Sequence, residues 1–180
     1  MKFLIYLLLI LNILFAQTLK TVIDKKTGDP MIVGIGQRSD LTTGHYGVWF
    51  AEEYENYEGD EGLMAAAGDL IDNFKIDLFL GTWCEDSRRE VPRFYRILDV
   101  MNVQLHEMDI IFLDREKKSG FDIEKGKNIH HVPTMIFYRD GLEIGRIIES
   151  PVETLEEDIF NILVGDAPIP RYHKWKAKKN

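Results

Sequence analysis

From Glu61 onward the chain alternates between two hydrophobic periods. Leu63, Ala67, Leu70 and Phe74 recur at helical spacing and predict a helix over 61–74. Ile76-Asp77-Leu78-Phe79-Leu80 is a short apolar run that reads as a buried strand ended by Gly81-Thr82. Val91, Phe94, Tyr95 and Leu98 share one face of a second helix, which starts between Cys84 and Ser87 and runs to about Met101. Ile110–Leu113 is the next buried strand, closed by the charged run Asp114–Lys118. Thr134–Tyr138 and Leu142–Ile148 flank Arg139-Asp140-Gly141, and Asp-Gly is a strong hairpin dipeptide. Three signals open a last helix: Ser150 as cap, Pro151 at the first helical position and Glu153 completing a capping box. Leu155, Ile159, Ile162 and Leu163 form its inner face.

Residues 17–60 carry a weaker pattern. Lys25 to Pro30 is rich in turn signals and the apolar Met31-Ile32-Val33 follows. Trp49, Phe50, Tyr54 and Tyr57 then lie on one helical face, with Glu52, Glu53, Glu55 and Glu58 between them. This predicts a short amphipathic helix packed on the core, with a ligand-binding aromatic patch as the alternative. Apolar strands separated by helices imply a parallel pair joined by a crossover, and the hairpin adds antiparallel strands. The predicted class is α/β: a mixed central sheet with flanking helices and an N-terminal extension.

Composition narrows the function. With 180 residues, 45% hydrophobic and 29% charged, the chain is long enough for one domain with a real core, and it is neither collagen-like nor disordered. A net charge of −8 opposes a phosphate backbone, so no nucleic-acid partner is expected. The single cysteine excludes an intramolecular disulfide, a CxxC couple and any polycysteine zinc site.

The first residues read as an address. Met1-Lys2 is followed by fourteen uncharged, mostly apolar residues, Phe3–Ala16, fewer than the roughly 20 that span a bilayer. The run fits a signal peptide over 1–16 with cleavage after Ala16, although Leu14 stands where a small residue is usual, and an uncleaved tether is the alternative. The expected mature protein is exported, periplasmic or extracellular, with no stable membrane insertion after cleavage. At the other end, Arg171, Lys174, Lys176, Lys178 and Lys179 make 166–180 a basic tail.

The candidate chemistry sits where the strand at 76–80 gives way to a helix. Gly81-Thr82-Trp83-Cys84-Glu85-Asp86-Ser87 resembles the active site of the thioredoxin superfamily, Trp-Cys-x-x-Cys at that junction. Pro92, eight residues after Cys84, matches the proline that kinks the family's active-site helix. Val132-Pro133-Thr134 matches its cis-proline before a β-hairpin, and Asp140-Gly141 its hairpin turn. The resemblance covers about 61–165 and implies a thioredoxin-like domain there, packed on by the extension 17–60. Gly81 to Phe94 looks like a group of exported bacterial thioredoxin-like proteins with a Cys-x-x-Ser site. The resemblance implies that Cys84 and Ser87 carry the chemistry, supported by Trp83, Val132, Pro133 and Thr134.

Two departures bear on mechanism. Ser87 replaces the second cysteine, and Leu78 occupies the place, six residues before Cys84, of the family's buried acid. A thiolate at Cys84 can attack a disulfide, but an alcohol at 87 cannot release the mixed product. A helix start favours the Cys84 thiolate, Glu85 and Asp86 oppose it, and Arg88 and Arg89 help if they fold back. Ser87 either donates to the thiolate or satisfies a first-turn backbone group. His130 and His131 precede the proline loop, but with Cys84 they are too thin a ligand set, so neither metal nor cofactor is assigned.

Two functions follow. The first is monothiol thiol–disulfide exchange through Cys84, as mixed-disulfide formation or isomerisation, on exported proteins with thiols or disulfides and with a low-molecular-weight thiol as the external resolving partner. The alternative is a redox-inactive module that binds extended peptides or partner proteins at the cis-proline loop.

Overall fold

The computed structural model describes residues 19–70, 74–103 and 108–170; the expected leader over 1–16 and the five cations of the basic tail lie outside the described residues. Among the described residues six strands form one sheet: β1 (Leu19–Ile23), β2 (Pro30–Gly36), β3 (Phe74–Leu80), β4 (Met108–Phe112), β5 (Thr134–Arg139) and β6 (Leu142–Ile148), in the order β1-β2-β4-β3-β5-β6. Among the described strands only the β3–β4 pair is parallel. The helices among the described residues are α1 (Ser39–Thr42), α2 (Gly44–Asn56), α3 (Glu61–Gly68), α4 (Glu85–Val100) and α5 (Leu155–Val164). None of them is long and apolar enough to cross a membrane.

The apolar run at 76–80 is continuous because β3 is buried on both faces. Phe74, Ile76, Leu78 and Leu80 enter the main core with Val91, Phe94, Tyr95 and Leu98 of α4. Phe79 enters a smaller core with Ile111, Leu113, Ile129, Val132 and Ile136, and Trp83 and Cys84 pack against that cluster. Both layers converge on the end of β3, where the chain turns into α4.

Several boundaries move. The helix read over 61–74 ends at Gly68, and Phe74 opens β3 instead. At Gly68 a Cβ would stand 2.9 Å from the Met101 carbonyl oxygen, and Leu70 N–H closes the helix on Ala67. Phe74 then pairs with Arg139 across the sheet, under its guanidinium. Met64 and Ala67, not Leu63 and Leu70, are the buried residues of α3. The last helix also starts later: Ser150 N–H is bonded back to Ile148, and the Asp158 carboxylate accepts the N–H groups of Val152 (2.7 Å) and Glu153 (3.3 Å). With those groups satisfied outside the helix, Thr154 is the cap, and its hydroxyl oxygen accepts from Glu157 N–H at 3.2 Å. The strand read at 110–113 begins at Met108, whereas the helix read from Cys84–Ser87 to about Met101 spans Glu85–Val100.

The stretch before residue 61 contributes more than its pattern announces. Asp24 and Asp29 close the turn of a β1–β2 hairpin, and β2 pairs with β4 from Gly34↔Phe112 to Gly36↔Ile110. In α2, Tyr46 and Phe50 are buried, Trp49 and Tyr54 are packed partly against the core, and Tyr57 lies just past the helix end. Tyr57 donates its hydroxyl proton to Glu156 at 2.6 Å, tying this segment to α5.

Candidate functional site

Cys84 is the N-cap residue of α4. Its N–H donates to Gly81 O (2.9 Å) and its carbonyl accepts from Arg88 N–H (3.0 Å), so the chain turns from strand to helix within the four residues Gly81–Cys84. Gly81 is required by the packing, since a Cβ there would stand 2.6 Å from the Trp83 indole. The Cys84 side chain is half-buried, and its thiol donates to Val132 O at 3.1 Å. The Val132–Pro133 peptide is cis. Val132, Pro133 and Thr134 are buried, and Thr134 donates to His131 O at 2.8 Å. The structure therefore brings Trp83, Cys84, Val132, Pro133 and Thr134 into one corner, at the end of the sheet.

Ser87 is fully buried, and its hydroxyl oxygen accepts the Gly81 N–H at 3.2 Å. It satisfies a backbone group, as one of the two expectations has it, but the group belongs to the loop before the helix. Arg88 and Arg89 are bonded to oxygens of neighbouring residues. Arg88 Nε donates to Thr82 O (2.7 Å), and Arg89 is held by Asp86 and Glu90 (2.7 Å each). Leu78 lies in the main core, so no acid stands there. The neighbouring Asp77 is a buried acid on the other face of β3, neutralised by Lys127 Nζ at 2.6 Å, which also donates to Tyr138 at 2.8 Å.

The histidines take other partners. His131 Nδ1 lies 3.5 Å from the Glu149 carboxylate, and burial, with the charges of His131 and Arg146, lowers His130 below the ordinary histidine value. Among the described residues no group of three or more His, Cys, Asp or Glu side chains is arranged to hold a metal.

An open cleft of about 450 Å³ lies beside the cysteine. One wall is the start of α4, with Cys84, Glu85 and Arg88; the other is the β1–β2 turn, with Asp24, Lys26 and Thr27, and Arg115 stands between them. Asp24 grips the Arg115 guanidinium with contacts of 2.8, 2.8 and 2.6 Å, and also accepts from Lys26 N–H and the Thr27 hydroxyl. The Arg115 hydrogen bonds hold the Asp24 carboxyl well below the usual carboxylate range, and Asp24 in turn raises Arg115. Sequence reasoning missed Asp24 and Arg115. The turn signals around Asp24 are visible in the sequence, but its partner is 91 residues away.

A mixed sheet carrying a cysteine at a strand-to-helix junction opposite a cis-proline loop settles the architecture. The fold is thioredoxin-like. A crystal structure of a protein of unknown function from Pseudomonas aeruginosa shares it, with a TM-score of 0.50 and 12% identity, over 73% of this chain and 88% of that one. No protein-family model matches the chain. It is similar to thioredoxin from Mus musculus, at 27% identity over 105 residues, 58% of this chain and 91% of that protein. It is also similar to thioredoxin domain-containing protein 2 from Rattus norvegicus, at 27% identity over 111 residues. That match covers 62% of this chain and only 18% of the rat protein's length. These similarities support a place in the thioredoxin superfamily. In this thioredoxin-like site the Asp24–Arg115 pair and the buried Ser87 lie on either side of the strand-to-helix turn that carries Cys84.

Proposed function

We propose that this thioredoxin-like chain performs monothiol thiol–disulfide exchange through Cys84 on exported proteins. The reading rests on one observation above others: the only sulfur nucleophile in the chain is half-buried at a helix N-cap, at the mouth of a cleft. The Cys84 thiolate attacks one sulfur of a partner disulfide, the S–S bond breaks and the other sulfur leaves as a thiolate. A low-molecular-weight thiolate then attacks the mixed disulfide, frees Cys84 and carries the partner's sulfur in a new disulfide. No electrons are gained or lost overall, which suits adduct formation and isomerisation. Ser87 supplies no second thiol, so the mixed disulfide persists until an outside thiol arrives. Export is part of the proposal and rests on the apolar run Phe3–Ala16.

The test is incubation of the mature protein with oxidised glutathione, followed by intact mass. A single adduct at Cys84 that survives until reductant is added, and that Cys84→Ser abolishes, is the expected result. A native protein that stays unmodified, yet labels readily in denaturant, makes the site a redox-inactive binding module instead. The thiol's hydrogen bond to Val132 O is the observation on that side.

A further inference from the structure

The β1–β2 turn is joined to the Cys84 site through Arg115 and Trp83. Asp24, only 2% exposed, holds the Arg115 guanidinium in a forked ion pair. Arg115 lies over the Trp83 ring, 4.7 Å from its centroid, and Lys117 Nζ sits 4.9 Å from the same ring. Trp83 is the residue before Cys84, and its indole N–H is fixed on Leu113 O at 2.8 Å. The remaining charged groups facing the cleft are Lys26 and Asp29 from the turn and Glu85, Asp86 and Arg88 from α4. Asp86 is paired with Arg89, and Arg88 is bonded to Thr82 O. Glu85 and Asp86 put negative charge on the cleft that holds Cys84. Arg115 is a permanent cation and opposes them; it interacts electrostatically with Cys84.

We infer that Arg115, oriented by Asp24, is a positioning residue of the Cys84 site that locks the Trp83 ring and sets a positive charge beside the reacting sulfur, favouring anionic thiol partners. The inference rests on the exchange reading of Cys84. Asp24 aligns the guanidinium through its fork, so the stretch before residue 61 acts as a specificity element of the site. The partner chemistry is a small disulfide or thiol that carries a carboxylate near its sulfur.

The experiment compares alkylation of Cys84 in the mature protein by iodoacetate and by iodoacetamide. In both reactions a sulfur–carbon bond forms and iodide leaves, and only the reagent charge differs. A purely structural role for Arg115 changes access for both reagents alike and leaves the ratio of the two rates unmoved. Arg115→Met should lower the iodoacetate-to-iodoacetamide ratio by about threefold, the effect of one nearby charge in water-like surroundings. Because Arg115→Met leaves Asp24 buried without its partner, the double variant Asp24→Asn/Arg115→Met keeps the test decisive if the single variant fails to fold. Its ratio should fall in the same direction, by less. An unchanged or raised ratio in either folded variant overturns the inference. Failure of native Cys84 to react with either reagent overturns the exchange reading itself, and the inference with it.

Discussion

Replacing Ser87 with cysteine does two separable things. Ser87 is fully buried and its oxygen accepts the Gly81 N–H at 3.2 Å, so a weakly accepting thiol leaves that donor under-satisfied in the interior. The loss should cost about 1–3 kcal/mol, and in a chain of this size each kcal/mol lowers Tm by roughly 2–4 °C. The substitution also places a second thiol three residues into the helix from Cys84, on the same face. A thiol tethered one turn away acts at an effective concentration of roughly millimolar or more. Against external glutathione at tens of micromolar, the release step should then quicken by about ten- to a hundredfold. The second thiolate attacks the mixed disulfide, the substrate sulfur leaves reduced, and a disulfide between Cys84 and the introduced cysteine remains for the external thiol to reduce. Insulin reduction followed by turbidity is the assay. Ser87→Ala is the control, with a similar loss of Tm and no gain in rate. A Ser87→Cys protein with native circular dichroism and the parent's rate would refute the argument that positions 84 and 87 keep a dithiol geometry.

Phe94 is fully buried and meets Phe137 edge-on at 6.1 Å, so Phe94→Ala should cost about 3–5 kcal/mol in urea denaturation; a loss under about 1 kcal/mol would contradict the packing described. The Asp24–Arg115 pair has a definite pH signature. Since Arg115 depresses the Asp24 carboxyl, its stabilisation is complete above the ordinary carboxylate value of about 3.9 and is lost as pH falls through the depressed native value. The Tm difference between parent and Asp24→Asn should stay constant from neutral pH down to about 4 and shrink only below it, and a difference that vanishes near pH 6 would refute the pairing. Mass spectrometry of protein exported from its natural host should find the mature chain starting at or near Gln17; a full-length mass confined to membranes would make the apolar run an anchor.

The fold beyond residue 61 is legible because its signals are local. The run at 76–80 is apolar on both faces of a central strand, α4 repeats Val91, Phe94, Tyr95 and Leu98 at helical spacing, and Asp140-Gly141 marks its own turn. The fraying of these readings is also physical. Phe74 continues a helical period but is drawn into the sheet by its partner Arg139. Ser150-Pro151-Val152-Glu153 has every sign of a helix start, yet Asp158 takes the N–H groups of Val152 and Glu153 and the cap passes to Thr154. The hairpin of β1 and β2 is unreadable because β1 is an edge strand with exposed residues, so no alternation records its pairing.

The fold class, the strand-to-helix placement of Cys84 and the lack of a second thiol are all written in the chain, because composition, periodicity and a contiguous motif need no partner to be read. What surrounds the sulfur is settled only when the chain folds. Arg88 and Arg89 are bonded to Thr82, Asp86 and Glu90, and Ser87 to Gly81. The cations beside Trp83 come from Arg115 and Lys117, and Arg115 is held by an aspartate 91 residues earlier in the chain. Which charge faces the cysteine depends on ion pairs that form only when distant segments meet, and nothing local in either stretch records that Asp24 and Arg115 pair.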